Sequence, residues 1–175
     1  DLSRMERNFY TSSSCGVCGK ASIEAIGMAG CPVVLDSGIR FSADWIRQLP
    51  DLAMANQTVF KHTGGLHAAT IFDATGNLCV SAEDVGRHNA VDKAIGSLFL
   101  QGRFPLQDQV LLVSGRAGFE LVQKSLFAGI AMMVAVGAPS SLAVDLARQH
   151  GLTLIGFLRG DRFNVYSGFE RVLPE

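Results

Sequence analysis

Short, predominantly apolar segments alternate with helical segments along the second half of the chain. The apolar segments are Val110–Val113, Met132–Val136 and Leu152–Phe157. The segments between them, Phe119–Gly129 and Ser140–His150, have helical composition and spacing. Continuous apolar strands separated by helices are typical of a sheet that is buried on both faces. The pattern therefore predicts an α/β fold with a partly parallel sheet flanked by helices.

An antiparallel hairpin is predicted ahead of this region. Leu66–Asp73 and Leu78–Ala82 read as strands on either side of the turn sequence Ala74–Asn77. A loop at Asp84–His88 and a helix over Asn89–Gln101 follow, because apolar residues recur there at helical spacing. The hairpin makes the expected sheet mixed.

The first third of the chain gives weaker signals. Ser42 is expected to cap a short helix that ends before Pro50, and a second helix is expected over Asp51–Gln57. We expect residues 1–20 to form a lead-in and a mobile loop, and residues 21–175 to form a single α/β domain.

Composition argues against several classes of protein. The net charge of −1 argues against broad electrostatic binding of nucleic acid. No apolar run approaches the roughly 20 residues of a membrane span, and no apolar segment follows the charged N-terminus as in a signal peptide. The four cysteines are irregularly spaced, so we expect reduced thiols in the cytoplasm rather than a disulfide framework.

Two of the cysteines, Cys15 and Cys18, form a C-x-x-C motif among serines and glycines. Such a loop is expected to be exposed and mobile, and its thiols suit metal ligation, thiol–disulfide exchange or the carrying of sulfur. A structural zinc site needs further ligands at comparable spacing, and a redox dithiol would open a helix directly after a strand. Neither pattern is present, which favours a carrier in which one thiolate holds a persulfide. No structural metal is expected.

Two motifs near the hairpin combine glycine with basic side chains. Gly64 and Gly65 precede His67, and paired glycines permit a concave backbone that binds anions. The alternative is a simple glycine turn before a strand. Arg87 and His88 lie at the entry of a predicted helix, whose positive end favours phosphate. A solvated helix start with local salt bridges is the alternative there.

Two further motifs follow the predicted strands. In the first, a strand, a glycine loop and a helix follow one another, which presents backbone N–H groups to a phosphate. In the second, two arginines flank a glycine and suit a pyrophosphate, and a nearby aromatic ring could stack on a base. Either motif alone could be an ordinary turn. Because such loops meet at one edge of a sheet, they predict a crevice for a large, multiply charged ligand such as a nucleotide-bearing cofactor. The residues expected to bind it here are Ser114, Gly115, Arg116, Phe157, Leu158, Arg159, Gly160, Asp161 and Arg162.

With these motifs in place, the chain resembles the formate dehydrogenase accessory sulfurtransferases, a family of sulfur carrier proteins. The resemblance covers nearly the whole chain, and the block E-D-V-G-R-H-N-A-x-D-K is its most specific part. The matching segments, in the order of the family, are Thr11–Gly19, Thr63–Ala68, Glu83–Lys93, Ser114–Lys124, Ala138–Val144 and Gly156–Gly168.

The resemblance implies a cytoplasmic homodimer that accepts sulfur from a cysteine desulfurase. The sulfur passes to the molybdenum (or tungsten) bis-molybdopterin guanine dinucleotide cofactor, which then enters formate dehydrogenase. Carried over by the same resemblance, Cys15 is the persulfide-bearing residue, Cys18 its partner, and Phe157–Arg162 a cofactor-binding segment. The alternative is a chaperone that binds and delivers the cofactor without chemistry.

The family's fold resembles that of cytidine deaminases, so the resemblance also implies a deaminase-like layout. The deaminase chemistry does not transfer, because no glutamate stands two residues after His67 and no P-C-x-x-C follows. Family members carry a further N-terminal region, and we expect this chain to be a fragment that lacks it.

Overall fold

A six-stranded mixed sheet organises the computed structural model, which describes residues 32–34 and 38–174. The strands are β1 (Phe41–Ser42), β2 (His67–Phe72), β3 (Leu78–Asp84), β4 (Val110–Val113), β5 (Met132–Ala135), β6 (Thr153–Arg159), β7 (Arg162–Ser167) and β8 (Val172–Leu173). The helices are α1 (Ala43–Met54), α2 (Phe60–Thr63), α3 (Arg87–Leu100), α4 (Phe119–Ala128) and α5 (Ser141–His150), with a 3₁₀ turn at Phe169–Arg171.

The strand order in the large sheet is β3-β2-β4-β5-β6-β7. Strands β4, β5 and β6 are parallel, whereas β2 and β3 at one side and β7 at the other are antiparallel to their neighbours. β1 and β8 form a separate parallel pair. The predicted mixed α/β sheet is therefore confirmed, and the deaminase-like layout stays a prediction.

Helices cover both faces of the sheet. On one face, α1 packs Ile46, Leu49 and Ala53 into a core with strand residues such as Phe72 and Val134. On the other face lie α3, α4 and α5, because the three connections that contain them run in the same direction along the sheet and such connections are right-handed. Burial on both faces explains why the central strands are continuously apolar.

The prediction of two helices on either side of Pro50 was wrong, because α1 runs through the proline to Met54. Proline removes one helical hydrogen bond and favours a break. Here Ile46, Leu49 and Ala53 lie on one face of the continuous helix and are buried. Their packing into the core outweighs the local preference for a break.

The predicted loop at Asp84–His88 is also shorter than expected. β3 extends to Asp84, which pairs with His67, and α3 begins at Arg87. The Asp84 carboxylate accepts hydrogen bonds from the Gly86 backbone N–H at 2.8 Å and from Asn89 at 3.1 Å. These bonds fix a tight turn, so Arg87 and His88 lie in the first turn of α3.

Within the described part of the chain, no helix has the length and apolar character needed to cross a bilayer.

Candidate functional site

A cavity of about 530 Å³ opens at the sheet edge where β4 and β6 end and β2 begins. One wall is formed by Pro50, Ala53 and Met54 of α1, and another by Phe60 and Leu66. These residues were not predicted as site residues. The first wall depends on α1 continuing past the proline, and its local signal was the helical spacing of Ile46, Leu49 and Ala53 across Pro50.

Five predicted site residues line this cavity together. His67 and Ser114 lie where β2 begins and β4 ends, and Leu158, Arg159 and Gly160 come from the end of β6. Leu158 is also fully packed in the core below. The cavity therefore combines apolar walls with a few polar groups at its rim, which is the usual make-up of a small-molecule binding site.

Ser114 continues the β2–β4 ladder beyond the end of its strand. Its backbone N–H donates to the Ala68 carbonyl at 3.0 Å, and its Oγ accepts from the Ala68 N–H at 2.9 Å. Among the described residues the hydroxyl proton of Ser114 has no acceptor, and the side chain lines the cavity. The hydroxyl oxygen is therefore held in place, and its proton can be donated into the cavity.

Gly115 brings a second part of the predicted site together. A Cβ atom added at Gly115 would lie 3.3 Å from His67 Nδ1 and 3.9 Å from Arg87 Cδ. The start of β2, the loop after β4 and the first turn of α3 thus meet at one point. Arg116, the next residue, is exposed.

The loops after β4 and β5, which contain Gly115 and Gly137, are hydrogen-bonded to each other, and the loop after β5 is also hydrogen-bonded to β6. The Gly137 N–H donates to the Gly115 carbonyl at 3.0 Å, and the Phe157 N–H donates to the Gly137 carbonyl at 3.1 Å. A Cβ atom on Gly137 would lie 2.9 Å from the Gly115 oxygen and 3.0 Å from the Arg116 Cα. Glycine at this position is therefore explained by close backbone packing, and its N–H is already used within the protein.

Phe157 has an unusual backbone conformation directly before the β6 residues that line the cavity. Its φ is +56°, which bulky side chains rarely adopt. It lies in a bulge, because β6 advances three residues from Gly156 to Arg159 while β7 advances two, from Asn164 to Arg162. Phe157 is 45% exposed. The bulge turns this ring outward while Leu158 fills the core.

Two arginines flank the turn that joins β6 to β7. Arg159 and Arg162 are cross-strand partners, and Gly160 has a φ of +53° in the turn between them. Arg47 on α1 fixes the turn, because its Nε donates to the Asp161 carbonyl at 3.0 Å. Across the described residues neither Arg159 nor Arg162 forms a side-chain hydrogen bond or ion pair. The two guanidinium groups are thus exposed and available to an anion.

His88 is engaged away from the cavity lining. Its Nδ1 lies 3.2 Å from Glu120 Oε2, across the contact between α3 and α4. Burial lowers the pKa of His88, Glu120 partly opposes that change, and the nearby Arg87 and Lys124 lower the pKa further. The imidazole is therefore mainly neutral near pH 7. A role for Arg87 or His88 in ligand binding stays a prediction.

The predicted anion nest at Gly64 and Gly65 has another structural explanation in part. Gly64 ends α2 with a φ of +63°, and its N–H donates to the Phe60 carbonyl at 2.8 Å. That N–H is consumed in capping the helix. Gly65 is exposed beside the entry of β2, and the binding role of both residues stays a prediction.

Glu83 opens the E-D-V-G-R-H-N-A-x-D-K block and lies near the cavity, but it was not among the predicted site residues. Its Oε2 accepts from the Val59 N–H at 2.9 Å and its Oε1 from the Phe60 N–H at 2.7 Å. Desolvation raises the pKa of Glu83, but the hydrogen bonds from Val59, Phe60 and Thr58 together outweigh it and lower the pKa. The carboxylate thus stays ionised and holds the segment that forms one cavity wall.

Cys15 and Cys18 lie outside the described residues. Among residues 32–34 and 38–174, no group of three or more His, Cys, Asp or Glu side chains is arranged to hold a metal ion. Cys79 is a free thiol on β3, and its Sγ accepts a hydrogen bond from Arg103 at 3.2 Å.

Comparison with known proteins places these features in a family. A sequence model of the FdhD/NarQ family matches residues 1–173. The sulfur carrier protein FdhD of Streptomyces coelicolor is 54% identical over 169 residues, which are 96% of this chain and 60% of that protein. The protein of the same name from Mycobacterium tuberculosis is 52% identical over 166 residues, 95% of this chain and 60% of its own. The chain thus spans about 60% of the length of these curated relatives.

A solved structure supports the same assignment. The crystal structure of a candidate formate dehydrogenase accessory protein from Desulfotalea psychrophila matches with a TM-score of 0.72 and 32% sequence identity. The match covers 81% of this chain and 59% of that one. Because the family match extends over nearly all of its residues, this chain belongs to the FdhD/NarQ family.

Proposed function

We propose that this protein carries sulfur as a cysteine persulfide and transfers it to a molybdenum bis-molybdopterin guanine dinucleotide cofactor, or its tungsten form, for formate dehydrogenase. The observation that carries the proposal is the match to proteins named sulfur carrier protein FdhD. The family match spans residues 1–173, which include both Cys15 and Cys18.

The first chemical step is a thiol exchange. The Cys15 thiolate attacks the terminal sulfur of a persulfide on a cysteine desulfurase, and the donor cysteine leaves as a thiolate. The S–S bond of the donor breaks and a new S–S bond forms on Cys15. The number of electrons is unchanged, so this step needs no external oxidant or reductant.

Release of the sulfur requires two electrons, which the second cysteine can supply. The Cys18 thiolate attacks Cys15 Sγ, forms a Cys15–Cys18 disulfide and expels hydrosulfide. The hydrosulfide replaces an oxygen ligand of the metal in the cargo cofactor, and that oxygen leaves as water after protonation. External thiols then reduce the disulfide and complete the cycle.

The cavity is where we propose the cargo binds. Its apolar walls, which include Met54 and Phe60, suit a flat ring system, and the exposed guanidinium groups of Arg159 and Arg162 suit a pyrophosphate. Ser114 adds a hydroxyl donor at the rim. These groups support binding of a guanine dinucleotide end, for which GDP is a suitable probe.

Intact-mass spectrometry tests the chemical proposal. After incubation with a cysteine desulfurase and L-cysteine, the protein should gain about one sulfur atom per chain, and the gain should be lost in Cys15→Ala. Cys18→Ala should keep the added sulfur but release little sulfide. Cys79→Ala is the matched control and should behave as the wild type, because this thiol lies on the hairpin strand β3. A wild-type protein that stays unmodified contradicts the proposal and favours a chaperone that binds the cofactor without chemistry.

A further inference from the structure

A carboxylate on the sheet holds the backbone of the cavity wall that contains Phe60. Glu83 lies on β3, and its two oxygens accept the backbone N–H groups of Val59 and Phe60 at 2.9 and 2.7 Å. These are the amides at the start of α2, where no side chain of the helix itself provides a cap. Glu83 therefore supplies from a neighbouring strand the hydrogen bonds that the helix start lacks.

Packing alone holds this wall weakly. The four-residue helix α2 has no buried side chain, and Val59 is 47% exposed. A helix this short is not stable by itself, because ordering the backbone of its first turn costs more conformational entropy than its few hydrogen bonds offset. The position of Phe60 against the cavity thus depends strongly on hydrogen bonds to its backbone.

We infer that Glu83 is a positioning residue that fixes Phe60 as a wall of the cavity and thereby sets the affinity for a ring-bearing ligand. This inference rests on the proposed function, since it concerns the same cavity. Glu83 acts through the backbone of Val59 and Phe60, and both of its oxygens face that segment. The ligand meets Phe60 rather than the carboxylate.

The same hairpin provides a matched control. Asp73, at its opposite end, uses one carboxylate oxygen to accept the backbone N–H groups of Thr75 and Asn77, both at 2.9 Å. Glu83→Gln and Asp73→Asn therefore each replace a carboxylate by an amide and weaken its hydrogen bonds to the backbone N–H groups of a loop. Only the Glu83 loop lines the cavity. A purely structural role predicts the same outcome for both variants.

Calorimetric titration with GDP separates the two roles. We expect Glu83→Gln to weaken GDP binding by up to about tenfold, which corresponds to the loss of one aromatic contact, and Asp73→Asn to leave the affinity unchanged. Both variants should show a lower Tm. Equal GDP affinities for Glu83→Gln and the wild type, with a clear loss in Tm, would overturn the inference.

A double-mutant cycle tests whether Glu83 acts through Phe60. If it does, adding Glu83→Gln to Phe60→Ala should change GDP affinity little beyond Phe60→Ala alone. Additive effects would show that the two residues act independently and would contradict the inference. Amide exchange at Val59 and Phe60, measured without ligand, should speed up in Glu83→Gln and not in Asp73→Asn.

The exchange measurement also distinguishes the two proposals from each other. Wild-type protein that does not bind GDP refutes the proposed cargo site, whatever Glu83 does. Unchanged exchange at Val59 and Phe60 in Glu83→Gln refutes the role of Glu83 as an anchor, whether or not GDP binds.

Discussion

Arg159 and Arg162 stand directly opposite each other across the β6–β7 hairpin. Opposite residues of an antiparallel pair lie on the same face with Cβ atoms about 4.5–5.5 Å apart, and like charges in such a pair are destabilising. Among the described residues neither guanidinium has a carboxylate partner. A bound anion would relieve this repulsion, so the free protein and the complex should respond to substitution in opposite ways.

We expect Arg162→Ala to stabilise the free protein and to weaken ligand binding. Removing one of two like charges should raise the free energy of unfolding by about 0.2–1 kcal/mol. Loss of a charge-assisted hydrogen bond should weaken GDP binding by about tenfold or more. Urea unfolding without ligand and calorimetric titration with GDP measure the two effects.

The control for this prediction is Arg103→Ala. Arg103 is also exposed, but it contacts Cys79 on β3 and lies outside the cavity lining. Its loss should leave GDP affinity unchanged. If Arg162→Ala and Arg103→Ala gave the same GDP affinity, the hairpin would not be the anion site.

Substitution of Phe157 separates backbone strain from ring stacking. A left-handed conformation costs a non-glycine residue roughly 1–2 kcal/mol, and the φ of Phe157 is +56°. Phe157→Gly should therefore be more stable than Phe157→Ala by about 1 kcal/mol, although both lack the ring. Both should bind GDP more weakly than the wild type if the ring stacks on the base. Unchanged affinity in both variants would exclude that contact.

Gly137→Ala tests the close packing between the loops that follow β4 and β5. The added Cβ atom would meet the Gly115 oxygen at 2.9 Å and the Arg116 Cα at 3.0 Å, and neither is a flexible side chain. We expect a loss of about 1–3 kcal/mol in stability and weaker GDP binding, because the loop after β4 must move.

Gly96→Ala is the control. It meets no atom within 4 Å in helix α3, and it should stabilise the protein by about 0.5–1 kcal/mol. A stable, fully binding Gly137→Ala variant would show that the loops can separate at little cost.

Asp84 provides a pH-dependent prediction. The hydrogen bond from Lys93, together with those from Gly86 and Asn89, lowers the pKa of Asp84 from 3.8 to about 2. A carboxyl group whose pKa is lowered by folding stabilises the protein above its ordinary pKa, and that contribution is lost as the pH falls. The stability difference between the wild type and Asp84→Asn should therefore shrink between pH 3.8 and about 2. Urea midpoints across this range measure it, and a constant difference would contradict the assignment.

Local patterns along the chain were sufficient to predict most of the sheet. Val110–Val113 and Met132–Val136 are continuously apolar, and they form β4 and β5 with boundaries that differ by at most one residue. Ser140 caps α5 through its side chain, and Gly151 ends that helix in a left-handed conformation. These features depend on neighbouring residues, which a linear sequence displays directly.

The errors occurred where distant residues compete with local preference. The helix α1 continues through Pro50 because Ile46, Leu49 and Ala53 gain burial in a core that other segments supply. The early start of α3 likewise depends on Asp84 pairing with His67 across the hairpin. Neither the core residues that pack against α1 nor the pairing of Asp84 with His67 could be identified from the spacing of residues within a helix.

The α/β class, the C-x-x-C motif and the kinds of side chain available for binding can all be read from the order of the residues, because periodicity and residue chemistry are local properties. The folded chain was needed to show that the cavity walls come from α1 and Phe60, and that Glu83 accepts the backbone N–H of Phe60. It also decided that Gly137 serves close packing between loops. Strand order and register bring these residues together across long separations in the chain, and the burial that fixes the register is shared by the whole core.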